Sequence, residues 1–426
     1  MALPQLVVDI GFTTVGTDNV FTVGDPVLGQ VGVAQIGDPD IWVDVTDYVR
    51  KWSVKRGAGK GDDPTLRYDA GTCTIELNDG DRRFDPDNLA GPYVSAGVSQ
   101  VEANRRVRIR AVWNGITYPI FYGYADDWRP SYQGNSWTYT TLTATDASKL
   151  FAAHDRTAVA PVGAGERTDQ RVVRILNEYG WPAGNRSLAT GDTTLQATTM
   201  SGNMLAELQL VQDTEQGSFW ISAAGRPTFG NRKHVLTFGP STTSQATFGD
   251  GGYAATSEIP FADAVMSTPT ETLVNSIDAS IAGGTEQHVE DAVSVGRYGP
   301  KTHTRDDLIM QTDDGALQWA SALLYQFAIP QRRFARLEFN TPTPDVEDAY
   351  WPALLGREFG HRITAIRRPA GGGDPIDRDC FVRGIEHESD GAAWTSALVL
   401  QDAERYSFFV VGDPIMGRVG MNAITY

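Results

Sequence analysis

Three stretches of this chain carry residue types that do chemistry elsewhere. Gly57 to Asp63 reads GAGKGDD, a lysine among glycines of the kind that cradles phosphates. A phosphate loop needs Ser or Thr directly after the lysine and a helix behind it. Here Gly61 follows and alternating residues flank the stretch, so a connection between strands is the better reading. Leu77 to Asn88, LNDGDRRFDPDN, offers oxygen ligands at alternate positions, which suits calcium. The EF-hand spacing and its terminal Glu are missing, and a turn stabilised by Asx hydrogen bonds is favoured. The third is Glu386-His387-Glu388: on a strand the two carboxylates lie opposite the imidazole, which disfavours a catalytic pair.

The six histidines are isolated, without HExxH, HxH or a cysteine pair, so a zinc site has little support. The nucleophile elbow GxSxG is absent. Carboxylate pairs for glycoside cleavage have no context that selects one among 53 acids. Trp42, Trp52, Trp113, Trp128, Trp137, Trp351 and Trp394 suggest sugar stacking, but most stand in or beside alternating strands, where packing is the commoner role. The expectation is a chain with no catalytic residue, no cofactor and no metal.

The elements around these stretches are mostly strands. WVDVTDYV, WSVKRG and CTIEL alternate with a period of two from Trp42 onward. RRVRIRAVW and YPIFYGYADDW flank Asn114-Gly115, a strong hairpin signal, and WTYTTLTATDA closes the unit. TDQRVVRILNEYG predicts a helix with Thr168 as N-cap and Gly180 as stop; SGNMLAELQLVQDTEQG and DDGALQWASALLYQFAIP predict two more. FWISAAGRPTFGNR reads as a hairpin, and LVNSIDASIAGG with EQHVEDAVSVGRYG as another across Gly283-Gly284.

Two repeats run through the chain. HRITAIRR to LVLQDAERY echoes RRVRIRAVW to TATDASKLF, matching Arg106 with Arg362, Asp126-Asp127 with Glu386 and Glu388, Trp137 with Trp394, and Asp146 with Asp402. Outside this pair, FTVGDPVLGQVG (Phe21 to Gly32) returns as FVVGDPIMGRVG (Phe409 to Gly420). Gly-Asp-Pro sets a turn, and the two apolar residues after it form a plug. Phe21, Asp25, Pro26, Val27 and Leu28, with Phe409, Asp413, Pro414, Ile415 and Met416, are therefore expected to make equivalent interface clips.

The fold expected is mainly β with α/β insertions. It divides into an arm (1–40), a first barrel (41–154), a mixed α/β domain (155–218), a second barrel (219–405) with a helical insert near 300–330, and a closing arm (406–426). At 426 residues two or three domains are the prior. Hydrophobic content of 41% with 44 Gly and 22 Pro suits many short strands. A net charge of −17 excludes a sequence-reading DNA binder, though it is compatible with the wall of a conduit. Only two cysteines, far apart, exclude a disulfide framework. The N-terminus does not read as a signal peptide, and no stretch is apolar enough to span a membrane.

DVTDYVRKWSVKRG, AGTCTIELNDGDRRFDP, GPY, RRVRIRA, FYGYADDW and TATDASKLF, in this order, resemble minor tail proteins of actinobacterial siphophages. VRILNEYGWP, GRPTF, DAVSVGRYG and the helix before IPQRRF extend the resemblance more loosely. It implies a tail-tip hub at the distal end of a virion tail, assembled in the bacterial cytoplasm. Such a hub is a homotrimer whose two tube-like barrels per chain make a pseudo-sixfold ring. Its implied neighbours are the distal tail protein, other tail-tip proteins and the tape measure protein, with genomic DNA only in transit. In such hubs the second barrel is interrupted, so strands from about 219–300 should join those after 331. The alternatives are a sixfold distal tail protein, a tip protein binding wall carbohydrate, and a wall hydrolase.

Overall fold

A computed structural model describes residues 2–13, 40–61, 64–95, 97–133 and 137–406. Both Gly-Asp-Pro phrases, with all ten expected interface residues, lie outside the described residues.

One sheet of thirteen strands organises the described chain. We number them β1 (Gln5–Thr13), β2 (Asp40–Asp44), β3 (Val49–Gly57), β4 (Asp69–Asn78), β5 (Arg106–Trp113), β6 (Ile116–Gln133), β7 (Trp137–Thr145), β8 (Thr247–Gly249), β9 (Asp263–Ser267), β10 (Arg333–Phe339), β11 (Arg362–Arg367), β12 (Ile376–Ser389) and β13 (Trp394–Asp402). Their order is β9-β10-β13-β12-β3-β4-β7-β6-β5-β1-β2, with β11 against the first half of β12 and β8 parallel to β11. The expected mainly β fold is what forms. Alternation drives it: along β4, Cys73, Ile75 and Leu77 are buried while Thr72 and Thr74 are exposed. Asn114 and Gly115 take φ of +49° and +78°, the two left-handed residues that a tight hairpin between β5 and β6 requires.

The repeat is visible in the strand paths. The first copy runs β5-β6-β7-β4-β3 and the second β11-β12-β13-β10-β9. Each long central strand carries a bulge against the strand that follows it, at Asp126 in β6 and Arg383 in β12. Aligning the bulges confirms Arg106 with Arg362, which face Tyr124 and Phe381, and Asp146 with Asp402. Two other matches slip: Arg129 stands where Glu386 does, and Thr138 where Trp394 does. The turn after β12 is one residue shorter than the one after β6, with five positions from Ser389 to its partner Trp394 and six from Tyr132 to Thr138, so the tryptophans fall out of step.

Of the strands expected from 219–300 only those of 247–267 join the ones after 331; the 218–230 hairpin belongs instead to the mixed unit, and the strands of 276–290 form a sheet of their own. What separates β9 from β10 is a unit of Ser276–Ile281, Gln287–Glu290 and Thr302–Leu308 under a helix, α3 (Asp313–Phe327). It occupies the place that the short connection after Gly57 fills between β3 and β4. The hairpin across Gly283-Gly284 forms, but the expected strand continuing through 292–298 is a short helix started by Asp291, whose carboxylate accepts from Ser294 N at 2.9 Å.

A mixed unit follows β7. It holds α1 (Thr168–Glu178), α2 (Met204–Glu215) and small sheets that include the Ser218–Ile221 and Pro227–Gly230 hairpin. Val172, Ile175 and Leu176 of α1 are buried, each worth about 1.5–3 kcal/mol of apolar transfer. Thr168 is the first helical residue rather than the cap: Arg167 precedes the helix, and Gln170 accepts from its N–H at 2.9 Å. The Thr168 hydroxyl is used elsewhere, on Glu215. A fourth helix, α4 (Glu347–Leu355), lies between β10 and β11. One apolar core runs continuously under both repeats, and the mixed unit and the α3 unit each have their own.

Candidate functional site

The two repeats meet along one seam. Gly384 to Ser389 of β12 pair with Gly57 to Trp52 of β3, joining both copies in a single ladder. The glycines of GAGKGDD make this approach possible. A Cβ on Gly57 would stand 2.4 Å from Arg383 O, one on Gly61 2.4 Å from Leu400 O, and one on Gly384 2.7 Å from Ala58 O. The stretch that resembled a phosphate cradle is a backbone crossing.

The face above the seam is polar across both repeats. Ser53 and Lys55 of β3 stand beside Thr72, Thr74 and Glu76 of β4 on one side and Glu386 and Glu388 of β12 on the other. Arg336 and Glu338 of β10 continue it in the second copy; Asp127 and Arg129 of β6 continue it in the first. Its cations are tied down: Lys55 to Glu386 at 3.4 Å, Arg336 to Glu386 at 2.6 Å and Glu338 at 3.0 Å, and Lys51 to Glu76 at 3.0 Å. Hydrogen bonding from Arg336 holds the Glu386 carboxyl below its ordinary range. Arg50 with Glu76 and Arg129 with Asp127 complete the set, so every cation named on this face is paired and little free positive charge is left to grip a polyanion.

Beneath the seam the side chains are apolar and aromatic. Trp52 of β3 meets Trp394 of β13 edge to face at 4.9 Å; Trp394 meets Trp351 of α4 at 5.7 Å, and Trp351 meets Trp113 of β5 at 6.1 Å. These four, with Trp128, are at most 9% exposed, so five tryptophans that suggested sugar stacking are core. Trp42 is half-buried, with the Arg108 guanidinium 4.0 Å above its ring.

Glu386 and Glu388 lie on the polar face and His387 on the opposite one, as the alternation requires. His387 is buried, 2.8 Å from Ser396 Oγ through Nδ1, and burial lowers its pKa to about 3. Because the folded value lies below the unfolded one, stability is full above about pH 6.5 and falls as acid protonates the unfolded chain. His387 alone is expected to cost about 2 kcal/mol by pH 5. Asp146 and Asp402, the equivalent buried acids, act in the opposite sense, since burial raises both to about 6. Comparing wild type with His387→Gln in urea at pH 7 and pH 5 isolates the histidine: the pH-dependent loss should shrink, and an unchanged loss sinks the assignment.

Leu77 to Asn88 forms the expected Asx-stabilised turn. Asp79 accepts from Phe84 N at 3.0 Å and Thr140 Oγ1 at 2.7 Å; Asp85 accepts from Asp87 N, Arg82 and Tyr132. Among the described residues no group of three His, Cys, Asp or Glu is arranged to hold a metal ion.

Sequence reasoning missed the last turn of α2, where Gln212, Asp213, Thr214 and Glu215 are all buried. Gln212 donates to Leu66 O at 2.8 Å, tying the large sheet to the mixed unit. Asp213 pairs with Arg67 and, at 2.8 Å, with Arg305, and its carbonyl accepts from Trp319 Nε1 at 2.8 Å. Glu215 accepts from Thr168 Oγ1 at 2.8 Å, Thr193 N at 2.9 Å and Asp192 N at 3.1 Å. The signal was four polar residues closing an apolar helix just before Gly217.

No family model matches the sequence, and no curated protein matches it. In three dimensions the chain is similar to the tail protein from Neisseria meningitidis MC58, with a TM-score of 0.56 and 10% identity over 85% of this chain and 94% of that one. It is also similar to the 43 kDa tail protein of prophage MuSo2 from Shewanella oneidensis, with a TM-score of 0.55 and 12% identity over 95% and 98%. At these identities the likeness establishes a shared fold over nearly the whole of each chain.

Proposed function

We propose that this chain is a structural component of a phage tail, a homotrimeric hub at the tail tip. The observation that carries the reading is the repeat: two copies of one strand path per chain, so that three chains offer six similar units. A sixfold tube can then meet a threefold tip. The full-length likeness in fold to two tail proteins supports the same role. The polar face, whose cations are paired with carboxylates, is suited to the wall of a channel along which DNA slides without sticking. The distal tail protein, other tail-tip proteins and the tape measure protein are the proposed neighbours, and the virion tail the proposed location.

A native mass of three times the 46.3 kDa chain is expected, with an axial threefold ring in electron micrographs of the particle. A hexamer would favour the distal tail protein instead. A peripheral position would favour a wall-binding tip, although the burial of five tryptophans removes most of the aromatic surface that reading relied on. Turnover of purified peptidoglycan, lost on a single acid substitution, would overturn the non-enzymatic reading.

The paired Gly-Asp-Pro phrases are proposed as clips that dock on equivalent grooves of the ring. Deleting residues 409–426 should weaken assembly in sedimentation while the monomer stays folded. Trimers that persist unchanged would remove the clips from the account.

A further inference from the structure

Each chain contains one completed seam and the two unmatched halves of another. The second half of β12 is paired on both sides, with β13 and with β3. The equivalent half of β6, from Asp127 onward, is paired on one side, with β7. The equivalent of β3 in the second repeat is β9, which pairs with β10 and ends the sheet. Among the described residues neither open edge has a strand partner. We propose that β6 of one copy pairs with β9 of the next in antiparallel fashion, repeating between chains the seam that β12 and β3 make within one. This deepens the trimeric reading above by naming the surfaces that meet.

The register follows from the internal seam. Aligning β6 with β12 by their bulges places Arg129, Ser131 and Tyr132 at Glu386, Glu388 and Ser389. Aligning β9 with β3 through β10 and β4 places Val265 and Ala264 at Ser53 and Trp52, and counting on along β9, past the bulge at Ala335 of β10, brings Ser267 to Lys55. The internal pairs Glu386 with Lys55, Glu388 with Ser53, and Ser389 with Trp52 become Arg129 with Ser267, Ser131 with Val265, and Tyr132 with Ala264. Arg129 and Ser131 lie on the polar face, as do Val265 and Ser267, so that face continues across the joint without a change of pleat.

The backbone phases agree. Thr138 O accepts from Asp79 N, so Thr138 faces β4 and its partner Tyr132 turns its own N–H and C=O to the open edge. Glu338 O accepts from Ala262 N, so Glu338 faces β9. Leu337 faces away, and its partner Ala264 directs its N–H and C=O outward. The Ala264 N–H is held by the adjacent Asp263 carboxylate at 2.8 Å, a local contact that a passing strand can replace. Both edges expose an apolar side chain, Tyr132 at 54% and Val265 at 43%. Pro130 lies on the same edge without an N–H, which discourages casual strand pairing and leaves this seam one hydrogen bond short of the internal one.

Ser131 and Val265 form a non-hydrogen-bonded pair in this register, the closer kind, within disulfide reach. The double variant Ser131→Cys with Val265→Cys should give covalent dimers and trimers on oxidation, seen without reductant on denaturing gels. Each single variant should not, and neither should Asp127→Cys with Val265→Cys, which is out of register. A native trimer that yields no cross-link, or links only within a chain, overturns the seam but leaves the trimeric hub standing. Cross-linked hexamers by native mass would uphold the seam and overturn the trimer. A chain that stays monomeric at all concentrations would overturn both.

Discussion

Glu215→Ala should unfold the mixed unit first and at markedly lower urea than wild type, with a loss of about 3–5 kcal/mol. The carboxylate is fully buried and satisfies Thr168 Oγ1, Thr193 N and Asp192 N, with the Arg232 Nε 3.5 Å away. Removing it strands three backbone donors, Asp192 N, Thr193 N and Arg232 N, and a guanidinium, and each buried group left unmet costs about 1–3 kcal/mol. Glu215→Gln keeps one acceptor oxygen but turns an NH2 toward donors, so an intermediate loss is expected. Intrinsic fluorescence of Trp181, which packs in this core, gives the local transition. A midpoint unchanged for the alanine variant would show that the last turn of α2 does not hold the unit together.

Gly57→Ala should cost about 3 kcal/mol, while Gly59→Ala two residues on should be neutral or slightly stabilising. Gly57 has φ +94°, and its added Cβ meets Arg383 O at 2.4 Å and Gly384 Cα at 2.7 Å, backbone atoms that cannot swing aside. Nothing lies closer than 3.8 Å to a Cβ on Gly59, the Asp69 carboxylate oxygen. A phosphate-binding loop would reverse the contrast, because its inner glycines approach the ligand and its outer ones do not. Thermal denaturation of the two variants side by side decides between these accounts, and equal losses would refute the close-crossing explanation.

Much of this fold was legible because its signals are local. The alternation in CTIEL, the Asn114-Gly115 turn and the apolar stripe of Asp313–Phe327 each depend on a few neighbouring residues, and all three formed as read. The repeat was legible from Arg106 with Arg362 and Asp146 with Asp402, residues that hold equivalent strand positions in both copies. It blurred at Trp394, where the preceding turn is one residue shorter than its counterpart, and at Glu386, where matching acid to acid overrode strand position. The seam was not legible. Gly57 and Gly384 reveal their mutual contact only when β3 and β12 are laid side by side. The burial of the polar turn at Gln212 to Glu215 was not legible either, because its partners, Leu66, Thr168 and Trp319, come from three distant segments.

The internal seam also sets a timetable for synthesis. Gly57 waits for Gly384, 327 residues later in the chain. At ~5–20 residues per second the ribosome needs about 15–65 s to supply it, and through that interval β3 is a nascent edge with no neighbour on one side. An unguarded apolar edge would capture other chains on the same polysome. Lys51 and Lys55 are exposed on β3, and like charges at that place disfavour pairing between sister chains until Glu386 is there to accept Lys55. Exchanging both lysines for valine should therefore lower the soluble yield of freshly made protein more than it lowers the melting temperature of whatever folds.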